Sequence, residues 1–204
     1  MGRHQTSDSG LRERKRQATR QALSWAAVRL AIERGLNNVL VEDIAAEVGV
    51  SARTFNNYFS SKGEAIASRH LERVQRTAAE LRARPLSEPL WDAITTAVLS
   101  QSGGDGVIPE PQWIAGIRLM VTEPALIGEF LKASIAAERE LAVAIAERTG
   151  TDADKDLYPR LVAATVGAAT QAAIDQWVRS DPPAPLAPLV REALKQLEAG
   201  LPIP

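Results

Sequence analysis

The stretch VEDIAAEVGVSARTFNNYF, residues 41–59, changes its pattern of apolar residues at a glycine. Ahead of that glycine, apolar residues recur at helical spacing, at Val41, Ile44, Ala45 and Val48. Gly49 can adopt the left-handed backbone that ends a helix, and Ser51 is a good N-cap for a second helix. Two short helices joined by a tight, Gly-containing turn form a helix-turn-helix.

The second helix, predicted over 52–59, separates its side chains onto two faces. At 100° per residue, Phe55 and Phe59 point toward the core. The outward face and its flanks hold Arg53, Thr54, Asn56, Asn57 and Tyr58. Arginine can bind guanine and asparagine can bind adenine through paired hydrogen bonds in the major groove, while hydroxyls suit phosphate oxygens. This pattern predicts DNA recognition, although an ordinary polar helix surface would share part of it.

The N-terminal part of the chain is basic, whereas the rest is acidic. Residues 1–84 hold 15 Lys and Arg against 9 Asp and Glu, a net charge of +6, while residues 85–204 hold 9 against 16, a net of −7. The run RERKR, residues 12–16, lies just ahead of the first helix. As a basic arm, it could bring Arg14 and Arg16 to phosphates or into the minor groove.

A second predicted phosphate site lies where the helix after the helix-turn-helix begins. Ser61 and Glu64 have the spacing of a capping box. Lys62 and the backbone N–H groups of that first turn would then face an anion.

The whole chain of 204 residues reads as helical, with few strand signals. Beside the helix-turn-helix, helices are predicted over 11–34, 62–83, 87–99, 113–121, 124–148, 157–178 and about 186–199. The Gly-rich GGDG stretch, 103–106, is predicted to be a loop that could move to admit a ligand. The fold class is therefore all-α, with about nine helices.

Composition excludes several kinds of chemistry. The chain has no Cys and only two His residues, His4 and His70, so disulfides, metal sites and Cys/His nucleophiles are not expected. His70 is expected to be a solvated helix residue. Asp154 and Asp156 lie in a polar loop without a nearby His, and we interpret them as turn residues rather than as an enzyme's acid and base. Without a secretory signal or an apolar run of 18 residues, a soluble cytoplasmic protein without a cofactor is expected.

The run LSWAAVRLAIERGLNNVLVEDIAAEVGVSARTFNNYFSSKGEAI, residues 23–66, closely resembles the DNA-binding domain of TetR-family transcriptional regulators. The shared marks are AA..L...E.G, V..IA...GVS..T and YF.SK, in the same order and at the same spacing. The resemblance implies a DNA-binding domain over 1–62 and a helical domain over 63–204 that dimerises and binds a small effector. It also implies that the last two helices pair with their copies in a homodimer.

Two residues depart from the family pattern, Leu40 and Gly63, and Gly63 stands where the family often has Glu after the Lys of YF.SK. Where the family usually has Thr or Ser capping the second helix and touching phosphate, this chain has Leu40. Asn38 is the alternative cap. The substitution also motivates an alternative function, a helical ligand-binding dimer whose DNA-binding face has decayed.

The middle helices supply the candidate ligand-binding residues. Large apolar side chains at helical spacing could line a cavity or belong to the core, and they are Trp91, Trp113, Met120 and Phe130. Arg118 could meet an anionic ligand group or form a salt bridge with a neighbouring Glu. The resulting hypothesis is a repressor that leaves a palindromic operator when a mostly apolar effector binds.

Overall fold

The computed structural model describes residues 4–102, 110–180 and 184–203 of the chain, so the predicted GGDG loop lies outside the described residues. Nine α-helices and two 3₁₀ turns, with no strand, account for the regular structure of this described part. The α-helices are α1 (His4–Arg34), α2 (Val41–Val48), α3 (Ala52–Asn56), α4 (Lys62–Ala83), α5 (Leu90–Leu99), α6 (Pro111–Thr122), α7 (Ile127–Thr149), α8 (Leu157–Val178) and α9 (Ala187–Glu198). The all-α prediction is confirmed, and none of the described helices is long and apolar enough to cross a membrane.

The chain divides into two compact units, Met1–Arg69 and His70–Pro204. The division falls within α4, which contributes residues to both units. The boundary predicted from the sequence, between 62 and 63, falls at the start of the same helix.

The core of the first unit forms where the sequence pattern predicts it. The apolar stripe of α1 is buried, at Leu23, Ala26, Ala27 and Leu30. Phe55 and Phe59 are 0% and 2% exposed, and their ring centroids lie 5.6 Å apart. Trp25 lies at the edge of this unit, 45% exposed, with the Arg69 guanidinium 3.8 Å from its ring centroid.

The second unit is built around α8, which packs against both α7 and α9, while α5 packs against α9. Its fully buried side chains come from several helices and include Ile94, Ile145, Leu186 and Leu194. Gly150, with φ of 68°, ends α7 in the left-handed conformation.

Several helix ends differ from the predicted ones. The helix predicted over 52–59 stops at Asn56, because the amides of Asn57 and Tyr58 bond to the carbonyls of Thr54 and Phe55 in tighter, i to i−3 turns. Pro124 begins a 3₁₀ turn instead of α7 itself.

Candidate DNA-binding surface and effector cavity

The short helix α3 is held at its N-terminus as the sequence predicts. Gly49, with φ of 75°, ends α2 in the left-handed conformation. Ser51 Oγ then accepts a hydrogen bond from the amide of Thr54 at 3.1 Å, the bond of an N-cap. The turn and the cap together determine the direction in which α3 leaves α2.

The outward surface of α3 carries the predicted polar residues. Arg53, Asn56 and Asn57 are exposed, and Thr54 and Tyr58 are half-buried. Asn57 lies just beyond the last residue of α3, so its exposure follows from the turn and not from a continued helix. The arrangement offers two amides and a guanidinium, the groups that pair with base edges in the major groove.

The basic run at 12–16 is not an arm ahead of a helix. It lies inside α1, which begins at His4, because this segment contains strong helix formers and no proline. Arg14 Nε donates to the carbonyl of Gly10 at 3.2 Å, and Arg16 pairs with Glu13 at 3.9 Å on an exposed surface. The predicted minor-groove arm is therefore replaced by an exposed basic stretch of helix.

The ammonium group of Lys62 makes hydrogen bonds within the protein. Its Nζ donates to the carbonyl oxygens of Leu36 at 2.6 Å and Val39 at 2.8 Å, which belong to the segment between α1 and α2. An ammonium group has three hydrogens, so one remains for a phosphate. The residue holds this segment in place as well as supplying charge.

The first turn of α4 already contains a carboxylate. Ser61 Oγ accepts from the amide of Glu64 at 3.0 Å, as the capping box predicts. Glu64 Oε2 accepts from both the amide and the hydroxyl of Ser60, each at 2.7 Å. Negative charge in this position occupies the positive end of the helix dipole, so the site is less suited to phosphate than predicted.

Leu40 is the N-cap residue of α2, with its side chain 61% exposed. Asp43 Oδ2 accepts from the backbone amide of Leu40 at 2.9 Å. The prediction that Asn38 caps α2 is wrong, since its amide nitrogen donates to the carbonyl of Arg34 at 2.7 Å and so closes the end of α1.

The second unit contains a cavity of about 230 Å³ bordered by α4, α5, α7, α8 and α9. Most of its surface is apolar, with lining side chains that include Val98, Phe130, Leu141, Val166 and Ile174. An apolar concave space with a few polar groups is typical of a small-molecule site.

Of the predicted ligand-binding residues, only Phe130 lines this cavity. Trp91 is half-buried elsewhere, Met120 is in the core, and Arg118 is exposed, so none of them borders it. Trp113 packs edge-on against Trp177, with ring centroids 5.8 Å apart. These four residues do not line this cavity, since helical spacing identifies an inward face but not the space beside it, and their role in ligand binding stays a prediction.

His70 lines the cavity and is largely buried, which contradicts the prediction of a solvated helix residue. Its ring centroid lies 4.9 Å from that of Phe130. Burial, with a smaller contribution from the charge of Arg73, lowers the pKa of His70 from 6.5 to about 4. The imidazole is therefore neutral at neutral pH.

Helix α8 leaves apolar side chains uncovered, whereas the large ones of α9 are half-buried or buried. On α8, Leu157 is 73% exposed and Leu161 is 52% exposed, and exposed alanines continue the row at 168 and 172. On α9, Leu189 and Leu197 are half-buried, whereas Val190 and Leu194 belong to the core. The exposed face of α8 lies on one of the two helices for which an interface is predicted.

Comparison with known proteins identifies the family. Residues 25–67 match the family described as bacterial regulatory proteins, tetR family, and residues 88–202 match the MftR C-terminal domain. Over 182 residues the chain is 34% identical to the HTH-type transcriptional regulator TcmR of Streptomyces glaucescens, which covers 84% of this chain and 79% of that protein. The chain belongs to the TetR family of transcriptional regulators.

Solved TetR-family structures share its fold. A regulator from Syntrophomonas wolfei, 18% identical, superposes with a TM-score of 0.64 over 92% of this chain and 98% of that one. The repressor FadR of Thermus thermophilus, in complex with lauroyl-CoA, is also 18% identical and gives a TM-score of 0.55 over 91% and 96% of the two chains.

The residue that sequence reasoning missed in this TetR-family DNA-binding unit is Arg20. Its Nη1 donates to the carbonyl of Tyr58 at 3.1 Å, and its guanidinium lies 4.4 Å from the centroid of the Phe59 ring. The sequence position of Arg20 indicates that it faces inward, because it lies three residues before Leu23 on the buried face of α1. The contact ties α1 to the turn that follows α3.

Proposed function

We propose that this TetR-family regulator is a cytoplasmic, homodimeric repressor that leaves a palindromic operator when a small, mostly apolar molecule fills its cavity. One observation carries the proposal: the outward Arg and Asn side chains of a capped α3 occur in the same chain as an apolar cavity of about 230 Å³. A DNA-reading surface and a ligand space are the two parts that such a switch requires.

The DNA contacts divide into two kinds. Base edges are read by Arg53, Asn56 and Asn57, which are exposed together at α3. Phosphates are bound by hydroxyls and cations around that surface, from Thr54, Tyr58, Arg14, Arg16 and the remaining N–H of Lys62. The alternative of a decayed DNA-binding face, motivated by Leu40, is less favoured because Arg53, Asn56 and Asn57 remain exposed at a capped α3.

The dimer is formed through α8 and α9. Leu157 and Leu161 are large apolar side chains with more than half of their surface exposed, and a second copy would cover them. Two-fold symmetry then presents two α3 helices to half-sites about one turn of DNA apart. Sedimentation equilibrium at micromolar concentration should show a dimer, and a monomer would contradict this part of the proposal.

The effector acts through α4. This helix runs without a break from Lys62 in the first unit to residues that line the cavity, among them His70 and Thr77. A ligand changes operator affinity only if it prefers one conformation of the dimer, and a 100-fold loss of affinity requires about 2.7 kcal/mol of coupling. Crystals with and without effector should show different distances between the Asn56 residues of the two protomers.

The decisive experiment measures operator binding. DNA fragments selected from a random library by the full-length protein provide the operator, and fluorescence anisotropy then gives the affinity at several salt concentrations. Arg53→Ala should cost about 1–3 kcal/mol and relax the preference at one position in each half-site. Arg118→Ala removes an exposed arginine from the second unit and is the matched control. Equal operator binding by the two variants would refute the assignment of α3 as the reading surface.

A further inference from the structure

Two threonine hydroxyl groups on the cavity wall already donate hydrogen bonds to backbone carbonyls. Thr77 Oγ1 donates to the carbonyl of Arg73 at 3.2 Å, and Thr170 Oγ1 donates to the carbonyl of Val166 at 2.8 Å. Both threonines line the cavity. A hydroxyl has one hydrogen and two lone pairs, so each can offer a ligand only an acceptor.

Two further lining groups also supply acceptors. Gln171 Nε2 donates to Asp175 Oδ1 at 2.7 Å, which identifies the other atom of the amide as its carbonyl oxygen. His70, kept neutral by burial, has one ring nitrogen that accepts and one that donates. Acceptors therefore lie on α4 and α8, two different walls of the cavity.

The charges beside the cavity disfavour an ionic ligand. Arg73 and Glu138 both line it, one cation and one anion. A charged ligand group would be attracted by one of them but would meet the like charge of the other. It would also lose its hydration among apolar side chains, which is costly. An uncharged ligand avoids both penalties.

Aromatic surface is present at the same site. The Phe130 and His70 rings, 4.9 Å apart and tilted by 44°, both border the cavity and offer faces or edges to a planar molecule. The volume of about 230 Å³ is sufficient for two fused rings.

From these contacts we infer that the cavity binds an uncharged aromatic molecule that carries hydroxyl donors, a phenol-like ligand. Its hydroxyls donate to oxygens on α4 and α8, and its rings pack against Phe130. The inference rests on the proposed function, in which this cavity is the effector site, and it specifies the chemical class of the effector. It differs from the hypothesis based on the sequence, in which Arg118 could bind an anionic group of the effector.

Three probes of matched size test the class by titration calorimetry on the full-length protein. 2-Naphthol donates a hydrogen bond, 2-methoxynaphthalene only accepts one, and 2-naphthoate is anionic. We expect 2-naphthol to bind about three- to tenfold more tightly than 2-methoxynaphthalene, the difference that one net hydrogen bond makes. 2-Naphthoate should bind most weakly.

Variants then locate the contact. The double variant Thr77→Val and Thr170→Val keeps the side-chain shapes but leaves the acceptors of Gln171 and His70, so it should reduce the preference for 2-naphthol without changing the affinity for 2-methoxynaphthalene. Val74→Phe should block all three probes by filling the cavity, whereas Val121→Phe, on α6 and away from the lining, should not. Thermal unfolding of each variant confirms that it folds.

A preference for 2-methoxynaphthalene or 2-naphthoate, the absence of binding by all three probes, or binding that survives Val74→Phe would each overturn the inference. Operator anisotropy separates this result from the proposed function. Selective binding of 2-naphthol without release of DNA supports the ligand class and counts against the switch. Release of DNA by 2-naphthoate alone supports the switch and counts against the ligand class.

Discussion

Both units use charged side chains to bind backbone carbonyls of distant segments, Arg20 and Lys62 in the first and Arg148 in the second, but the second unit also contains a cavity bordered by polar side chains. Arg20 and Lys62 donate to the carbonyls of Tyr58, Leu36 and Val39, all close in sequence to α2 or α3. Thr77 and Thr170 bond only within their own helices, beside a space of about 230 Å³. A surface that reads DNA needs side chains at constant distances, while a sensor needs volume that a ligand can fill.

This difference has an energetic side. A cavity lined by apolar groups forgoes packing contacts, so the second unit is less stable than a filled core of the same size would be. A ligand that binds the folded protein returns part of that stability by mass action.

The largest expected effect compares two phenylalanines. Phe55→Ala should lower the free energy of unfolding by about 3–5 kcal/mol, because its ring is completely buried in the packed first unit. Phe130→Ala should cost less, since this ring is half-buried and already borders a cavity. Urea unfolding followed by circular dichroism measures both, and equal losses would contradict the contrast between the units.

The next effect is a pH dependence that originates in the second unit. Burial lowers the pKa of His70 from 6.5 to about 4 in the folded protein. Between pH 6.5 and 4, His70 is therefore protonated in the unfolded chain but neutral in the folded chain. The stability that the neutral imidazole of His70 contributes to the folded protein is fully present above pH 6.5. It is lost as the pH falls toward 4, which lowers the free energy of unfolding by up to about 3 kcal/mol.

Urea unfolding across this pH range tests the assignment of that loss to His70. The variant His70→Gln should flatten the part of the profile between pH 6.5 and 4. An unchanged profile in the variant would place the titrating group elsewhere.

A smaller loss is expected when the lysine of the first unit is replaced. Lys62→Met keeps the length of the side chain but removes the donor to the carbonyls of Leu36 and Val39. The cost should be about 1–3 kcal/mol. Lys132→Met is the control, because Lys132 is 75% exposed and pairs only with Glu129 across its own helix. Equal thermal stability of the two variants would show that the Lys62 contacts contribute little.

The smallest pair of effects should differ in sign. Val74→Ile adds one methylene beside the cavity and should stabilise the protein by about 0.5–1 kcal/mol. Val28→Ile adds the same group to the packed first unit, where Val28 is 5% exposed, and should destabilise it by about 1 kcal/mol or more. Differential scanning calorimetry distinguishes the two, and a loss in both would show that the second unit has no usable space at Val74.

Sequence reasoning worked where a feature depends on neighbours along the chain. The ends of α4 and α8 were predicted at their observed residues, because apolar spacing, glycine and caps act within a few positions. The burial of Phe55 and the Ser51 cap followed from the same local rules.

Features that join distant segments could not be predicted in this way. The contacts of Arg20 with Tyr58 and of Lys62 with Leu36 cross 38 and 26 residues. The cavity depends on how five helices pack, so the sequence pattern pointed to Phe130 but not to His70, and Trp91 and Trp113 do not line it. A periodic pattern specifies which face of a helix is buried and does not specify how closely its partner approaches.

The four tryptophans also equip this protein with optical reporters. Trp25 is the only tryptophan in the first unit, and the guanidinium of Arg69 lies against its ring. Replacing Trp91, Trp113 and Trp177 by Phe would leave a single emitter, Trp25, in the DNA-binding unit. Its emission wavelength and its quenching would then report in real time whether that unit responds to ligand, without a dye and without DNA present.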